Sequence, residues 1–147
     1  MRVETWLPEL YNCTSMQIVI DTSAIIAVLI REPERDALIE ATSSNELLAP
    51  LSVHWEIGNA FSAMFKRGRF PLQAAWQALE DYGQIPIRFS DVALDRALEV
   101  AHEFNTYAYD AYLITCALQH RCALLSLDRG LVRAATKAGV KTLEIRS

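Results

Sequence analysis

Short apolar runs alternate along this chain with longer stretches of helical period, and that alternation narrows the fold more than any other feature. Gln17–Ile20 is a β-branched run that reads as a buried strand, and Asp21-Thr22-Ser23 offers caps for a helix to about Ile30. Pro33 suits an early helical position, which predicts a helix over Glu34–Ala41, and Glu46–Ala49 predicts a second strand closed by Pro50. Ser52 is the expected cap of the next helix, in which Val53, Ile57, Ala60, Phe61, Met64 and Phe65 share one face before Gly68 stops it. Pro71 opens a helix to about Tyr82 that Gly83 breaks. Ile85–Phe89 reads as an edge strand because it contains Pro86, Ser90 caps a helix through about Phe104, and Asn105–Thr106 turns the chain into Ala108–His120, a helix apolar nearly all round. Ala123–Leu127, Leu131–Ala138 and Lys141–Ile145 complete the pattern as strand, helix and strand, with Gly139 stopping the helix. Strands that alternate with helices take right-handed crossovers, so the expected fold is an α/β domain of three layers, α/β/α, on a mainly parallel sheet.

With 52% apolar and 22% charged side chains, 147 residues suffice for one compact core. Residues 1–15, with Trp6, Pro8 and scattered polar groups, fit neither period and are read as an extension of unknown role before a functional domain over 16–147. The most apolar part of the early sequence, Ile18–Ile30, is too short for a bilayer span and is interrupted by Asp21, while Glu4 and Glu9 spoil a secretory leader, so a cytoplasmic protein without membrane contact is expected. Cys13, Cys116 and Cys122 show no CxxC spacing and read as small packed thiols rather than zinc ligands or disulfides. His54, His102 and His120 also lack ligand spacing, and His54 is read as a packing or hydrogen-bonding residue.

The chemistry lies in the acids. Four apolar stretches each carry one: Asp21 between Leu10 and Ile30, Glu56 between Leu47 and Phe65, Asp110 between Asn105 and Gln119, and Asp128 after Cys122–Leu127. An ionised carboxylate shielded from water needs compensation, and four of them suggest one shared positive partner. Asp21 and Asp128 follow strands and would project beyond the carboxyl ends of the sheet, where ligands of such sheets collect. Glu56 and Asp110 are placed in first helical turns, where the free N–H groups would also make them plausible caps. Capping alone does not predict that all four interrupt otherwise uncharged segments. Carboxylate oxygens suit Mg²⁺ or Mn²⁺, and the His and Cys spacing argues against zinc.

The segments Met16–Ala24, Trp55-Glu56-Ile57-Gly58-Asn59-Ala60, Tyr109-Asp110-Ala111-Tyr112 and Leu124–Arg129 resemble, in order and spacing, those of the PIN-domain ribonucleases, and especially the VapC toxins of bacterial toxin–antitoxin pairs. The resemblance covers residues 16 to about 145. It implies a five-stranded parallel sheet in the order 3-2-1-4-5 and an acidic metal-binding quartet at Asp21, Glu56, Asp110 and Asp128, with Thr22, Ser23 and Asn59 supporting it through hydrogen bonds. Where relatives often carry Thr-x-Asp, this chain has Ser126-Leu127-Asp128, and the retained hydroxyl is expected to orient the acid. The resemblance further implies a metal-dependent endoribonuclease that activates water with Mg²⁺ or Mn²⁺ and leaves a 5′-phosphate and a 3′-hydroxyl. A VapB-like antitoxin covering the crevice and a homodimer are its implied partners. Phe61, Phe65 and Trp76 are candidates for that contact, although core packing suits them better.

The net charge of −4 is unusual for a nucleic-acid binder, but the positive charges gather at Lys66, Arg67 and Arg69 and at Arg129, Arg133, Lys137 and Lys141. Either group would suit a phosphate path or a solvated helix end. The main rival from another class is a non-catalytic module that keeps the fold and acts through a protein or RNA partner. An aspartyl phosphatase with Asp21 as nucleophile usually wants an acid two residues on, where Ser23 stands, and a phosphate-receiver domain wants an acidic pair that is missing.

Overall fold

The computed structural model describes residues 16–145, so the expected extension over 1–15 lies outside the described residues. They form β1 (Gln17–Ile20), α1 (Thr22–Leu29), α2 (Arg35–Thr42), β2 (Glu46–Pro50), α3 (Ser52–Lys66), α4 (Leu72–Gln84), β3 (Ile87–Ser90), α5 (Leu94–Phe104), α6 (Ala108–His120), β4 (Ala123–Leu125), α7 (Arg129–Lys137) and β5 (Thr142–Leu143). The sheet is five-stranded in the order β3-β2-β1-β4-β5. Every pairing is parallel.

The strand order follows from which runs can be buried on both sides. Ile18, Val19 and Ile20 of β1 and Leu47 to Pro50 of β2 are buried throughout, as is β4, which is the pattern of interior parallel strands. β3 has no fully buried residue and β5 is two residues long, and both lie at edges. Pro86 immediately precedes β3, so its missing N–H is tolerated there. Helix α6 packs on β1, β2 and β4 with α5 against it, while α1 packs with α2, α3 and α4. Right-handed crossovers put those two groups on opposite faces of the sheet, giving three layers. Ile25, Leu48, Ile57, Ile114 and Leu124 are among the fully buried side chains of the shared core. Each contributes about 1.5–3 kcal/mol through burial.

The differences from the sequence reading lie at element ends, where tertiary partners replaced local ones. Ser52 is not a cap: the turn at Leu51 starts α3 one residue earlier, with His54 N–H donating to the Leu51 carbonyl, and the buried Ser52 hydroxyl has no hydrogen-bond partner. Ser90 caps nothing either. Its hydroxyl pairs with His120 Nε2 at 2.8 Å, and the Ala93 N–H that opens α5 donates to Gln119 Oε1 instead. Gly83 does not break α4, which runs on to Gln84 because Ala78 and Tyr82 anchor its face in the core. The strand β4 stops at Leu125 and α7 starts at Arg129, since Asp128 caps that helix two residues before the expected start. Asn105 adopts the left-handed conformation (φ 52°) at the end of α5.

Phe61 is buried, but Phe65 and Trp76 are exposed, Trp76 by 59%, so core packing holds only for the first of the three. Cys116 is a buried free thiol that burial pushes up to about 12, an inert core residue as expected, and Cys122 is half-buried and also free. His54 bonds the Tyr82 hydroxyl at 3.0 Å and packs edge-on against Trp55 and Phe89. No helix among the described residues is long and apolar enough to cross a membrane.

Candidate active site

Strand order reverses between β1 and β4, and the chain leaves both strands at the same level, because Ile20 pairs with Leu125. The Asp21 N–H adds one more rung by donating to the Leu125 carbonyl at 3.2 Å. Asp21 and Ser126 therefore emerge side by side at the crevice that such a reversal opens.

Asp21 is 4% exposed and caps α1, accepting from Ala24 N–H at 3.1 Å. Two hydroxyls complete its shell: Ser23 Oγ donates at 2.7 Å, and Ser126 Oγ donates to the other carboxylate oxygen. Each serine is also an acceptor. Leu127 N–H donates to Ser23 Oγ at 3.0 Å and Asp128 N–H donates to Ser126 Oγ at 2.9 Å. The pair thus braces Asp21 to the β4–α7 connection from both sides. Ser126 orients Asp21 with its proton and holds Asp128 only through the backbone, a division of labour that sequence proximity alone had assigned to Asp128.

Asp128 caps α7, accepting from Gly130 N–H at 2.9 Å and Leu131 N–H at 3.2 Å. A Cβ at position 130 would lie 3.3 Å from its Oδ1, so glycine keeps that space open. Glu56 is half-buried on the second turn of α3, not the first, where no helix N–H is free to be capped. Thr22 Oγ1 reaches it at 3.4 Å. Asp110 is half-buried in the first turn of α6. Asn59 is exposed and its side chain has no hydrogen-bond partner among the described residues, so the expected support from it is absent, in contrast to Thr22, Ser23 and Ser126.

Only Asp21 is shut away from water; Glu56 and Asp110 are half-buried and Asp128 is exposed. The premise of four sealed acids is corrected accordingly: an apolar segment carries each acid, but three of them reach the crevice rather than the core. Electrostatics nonetheless joins them. Burial raises Asp21 above the ordinary carboxylate value against the pull of its hydrogen bonds, with the charge of Asp128 adding to the rise. Glu56 is raised by burial, then by the charges of Asp21 and Asp110, and Asp110 by burial and then by Asp128. Among the described residues none of the four acids pairs with a Lys or Arg. Nor do any three acids, histidines or cysteines among those residues close round one point as a finished metal cage would. An all-oxygen set that includes a buried carboxylate with no cationic partner among the described residues fits a hard divalent ion by its chemistry.

The family model for the PIN domain matches residues 18–137, which includes all four acids. The chain belongs to the PIN-domain family. Among solved structures, this PIN domain is similar to PAE2754 from Pyrobaculum aerophilum, with 24% identity, a TM-score of 0.69, and 90% of this chain and 89% of that one covered. It is also similar to VapBC2 from Rickettsia felis, solved bound to a DNA fragment from its promoter, at 12% identity and a TM-score of 0.63 over 89% and 100% of the two chains. A third is VapC20 from Mycobacterium tuberculosis, a Sarcin-Ricin loop cleaving toxin, at 16% identity and a TM-score of 0.60 over 88% and 99%. At these identities the likeness is one of fold. No curated protein sequence matches the chain.

Proposed function

We propose that this PIN domain is a metal-dependent endoribonuclease and the toxin of a toxin–antitoxin pair, with Asp21, Glu56, Asp110 and Asp128 holding Mg²⁺ or Mn²⁺. The observation that carries the reading is that four acids stand round the β1–β4 reversal, three of them with proton affinity raised by burial and by a neighbouring acid's charge, and that among the described residues no cationic side chain pairs with any of the four. Carboxylates whose proton affinity is raised by crowding are a poor arrangement for stability and a good one for capturing a dication. When bound, such an ion supplies an activated water and charge stabilisation for phosphodiester hydrolysis.

The chain's own residues set the geometry. Ser23 and Ser126 fix both oxygens of Asp21, and their second bonds to Leu127 and Asp128 N–H keep the β4–α7 connection at a set distance from it. Thr22 restrains Glu56. The Asp128 carboxylate is held at the mouth of the crevice by the N-terminus of α7. The neighbours solved as toxin–antitoxin assemblies support an antitoxin as partner, and a homodimer is proposed with it.

The alternative is a module that keeps the fold and acts through a protein or RNA partner, since among the described residues no three acids close round one point. Incubating purified protein with a pool of structured RNA separates the two. Cuts that need Mg²⁺ or Mn²⁺, stop in EDTA and are missing from Asp21→Asn support the nuclease. Equal cutting by Asp21→Asn and parent removes Asp21 from the chemistry, and no cutting by either with RNA still bound gives the alternative precedence.

A further inference from the structure

We infer that the face of α7 carrying Arg133 and Lys137, together with Tyr107, forms the path along which an unpaired stretch of RNA leaves the acidic crevice. The inference rests on the nuclease reading above for the identity of the strand, but its observations are separate. A hollow of about 360 Å³ opens beside Asp110, and Thr106, Tyr107, Arg133 and Lys137 line it. One wall of this space is therefore a proposed catalytic acid, and another is positively charged.

Helix-end solvation does not account for the charge. Lys137 stands in the last turn of α7, where the helix dipole favours a cation, but Arg133 stands one turn earlier. Arg133 and Lys137 are four residues apart, on one helix face, about 6 Å along the axis. Neither forms an ion pair among the described residues, although Asp110 and Asp128 are close by. Arg133 Nη2 lies 3.9 Å from the point a Cβ on Gly130 would occupy, and Asp128 Oδ1 lies 3.3 Å from the same point. The guanidinium is thus held beside the acidic mouth with its charge still available. Lys66, in contrast, ends α3, where the dipole explains it.

Two uncharged groups define what the cations would hold. Tyr107 is 87% exposed at the flank of α6, where its side chain makes no cap, so a large flat ring stands at the rim of a charged hollow. A lone exposed aromatic needs no explanation, but one that shares a cavity with two unpaired cations has the composition of a single-strand site, in which bases stack while cations follow the backbone. Thr106 lines the same hollow between Tyr107 and the end of α5. A space of this volume takes a nucleotide-sized unit and not a duplex.

The test is anisotropy of a labelled hairpin RNA with an unpaired loop, bound to the full chain in EDTA between about 50 and 200 mM salt. Arg133→Ala and Lys137→Ala should each weaken binding about tenfold and each reduce the salt slope by roughly 0.7. Tyr107→Ala should weaken it about tenfold with the slope unchanged, and Tyr107→Phe should restore it. Lys66→Ala, remote from the hollow, should stay within about twofold of the parent. Parental affinity in all three alanine variants, no binding by the parent, or equal competition by a blunt duplex would each overturn the path. Parallel cleavage assays with Mn²⁺ keep the two ideas apart: parent cutting with unaltered variant affinities removes the path and leaves the nuclease, whereas binding lost in the variants without any cutting by the parent retains the path and removes the nuclease.

Discussion

The two ends of the sheet are built from the same strands and have opposite characters. At the amino ends, a hollow of about 530 Å³ lies between the start of β1, the start of β4 and the end of α6, lined by Met16, Leu118, Cys122 and Val140 and, among the described residues, by no acid. At the carboxyl ends the surface contains a buried aspartate, two serines that donate to it and accept from the Leu127 and Asp128 N–H groups, and three further acids. Polar side chains are expensive to bury unless satisfied, and a domain that buries Asp21 and Ser126 together, at 4% and 7% exposure, has committed stability to one place.

That contrast can be broken by substitutions at either end. The largest expected effect is on Asp21→Asn, which keeps the size of the side chain and removes its charge: RNA cleavage should fall more than about a hundredfold while circular dichroism is unchanged. Ser126→Ala should follow, because it removes a donor to Asp21 and the acceptor of Asp128 N–H together. Cleavage should drop about 10–100-fold, and denaturant unfolding should show a loss of about 1–3 kcal/mol. Gly130→Ala should lower activity several-fold by crowding Asp128, with unfolding within about 1 kcal/mol of the parent. At the other end, Lys141→Ala, in the wall of the amino-end hollow, should leave cleavage within about twofold.

The acid crowding also gives a stability signature. Asp21 is raised above its ordinary value of 3.8, so between that pH and its folded value the folded protein keeps a proton that the unfolded chain has released. Stability therefore falls as pH rises through that window. In EDTA at pH 7, Asp21→Asn should melt about 3 °C above the parent, the shift of roughly 1 kcal/mol in a domain this size. The gap should close as the pH is lowered toward 3.8, and a gap that grows in acid would refute the assignment.

Most of the architecture was legible because it depends on patterns within single segments. The uninterrupted apolar runs of β1 and β4 specify interior strands, and the stripe Val53, Ile57, Phe61 specifies the buried face of α3. What escaped involved partners distant in sequence. Ser90 looks like a cap until His120 arrives from α6, and Gln119 then supplies the bond that α5 needs. The acids were legible as a set, since each interrupts an apolar segment, but their burial was not, because exposure depends on where a segment ends rather than on what surrounds the residue in sequence. The Ser23–Ser126 brace joins residues about a hundred positions apart: the resemblance pointed to each serine, but their joint hold on Asp21 is written in neither segment alone. Asn59, identified by resemblance, has no role that the hydrogen bonding reveals.

The central claim is that four separate carboxylates act as one metal site, and Mn²⁺ binding to the parent and to Asp21→Asn, Glu56→Gln, Asp110→Asn and Asp128→Asn, followed by calorimetry with electron paramagnetic resonance of the bound ion, tests it most directly. Saturable binding by the parent that weakens about tenfold or more in each of the four variants is the predicted result. A parent that takes up no Mn²⁺, or variants at Glu56, Asp110 and Asp128 that bind as the parent does, would contradict it.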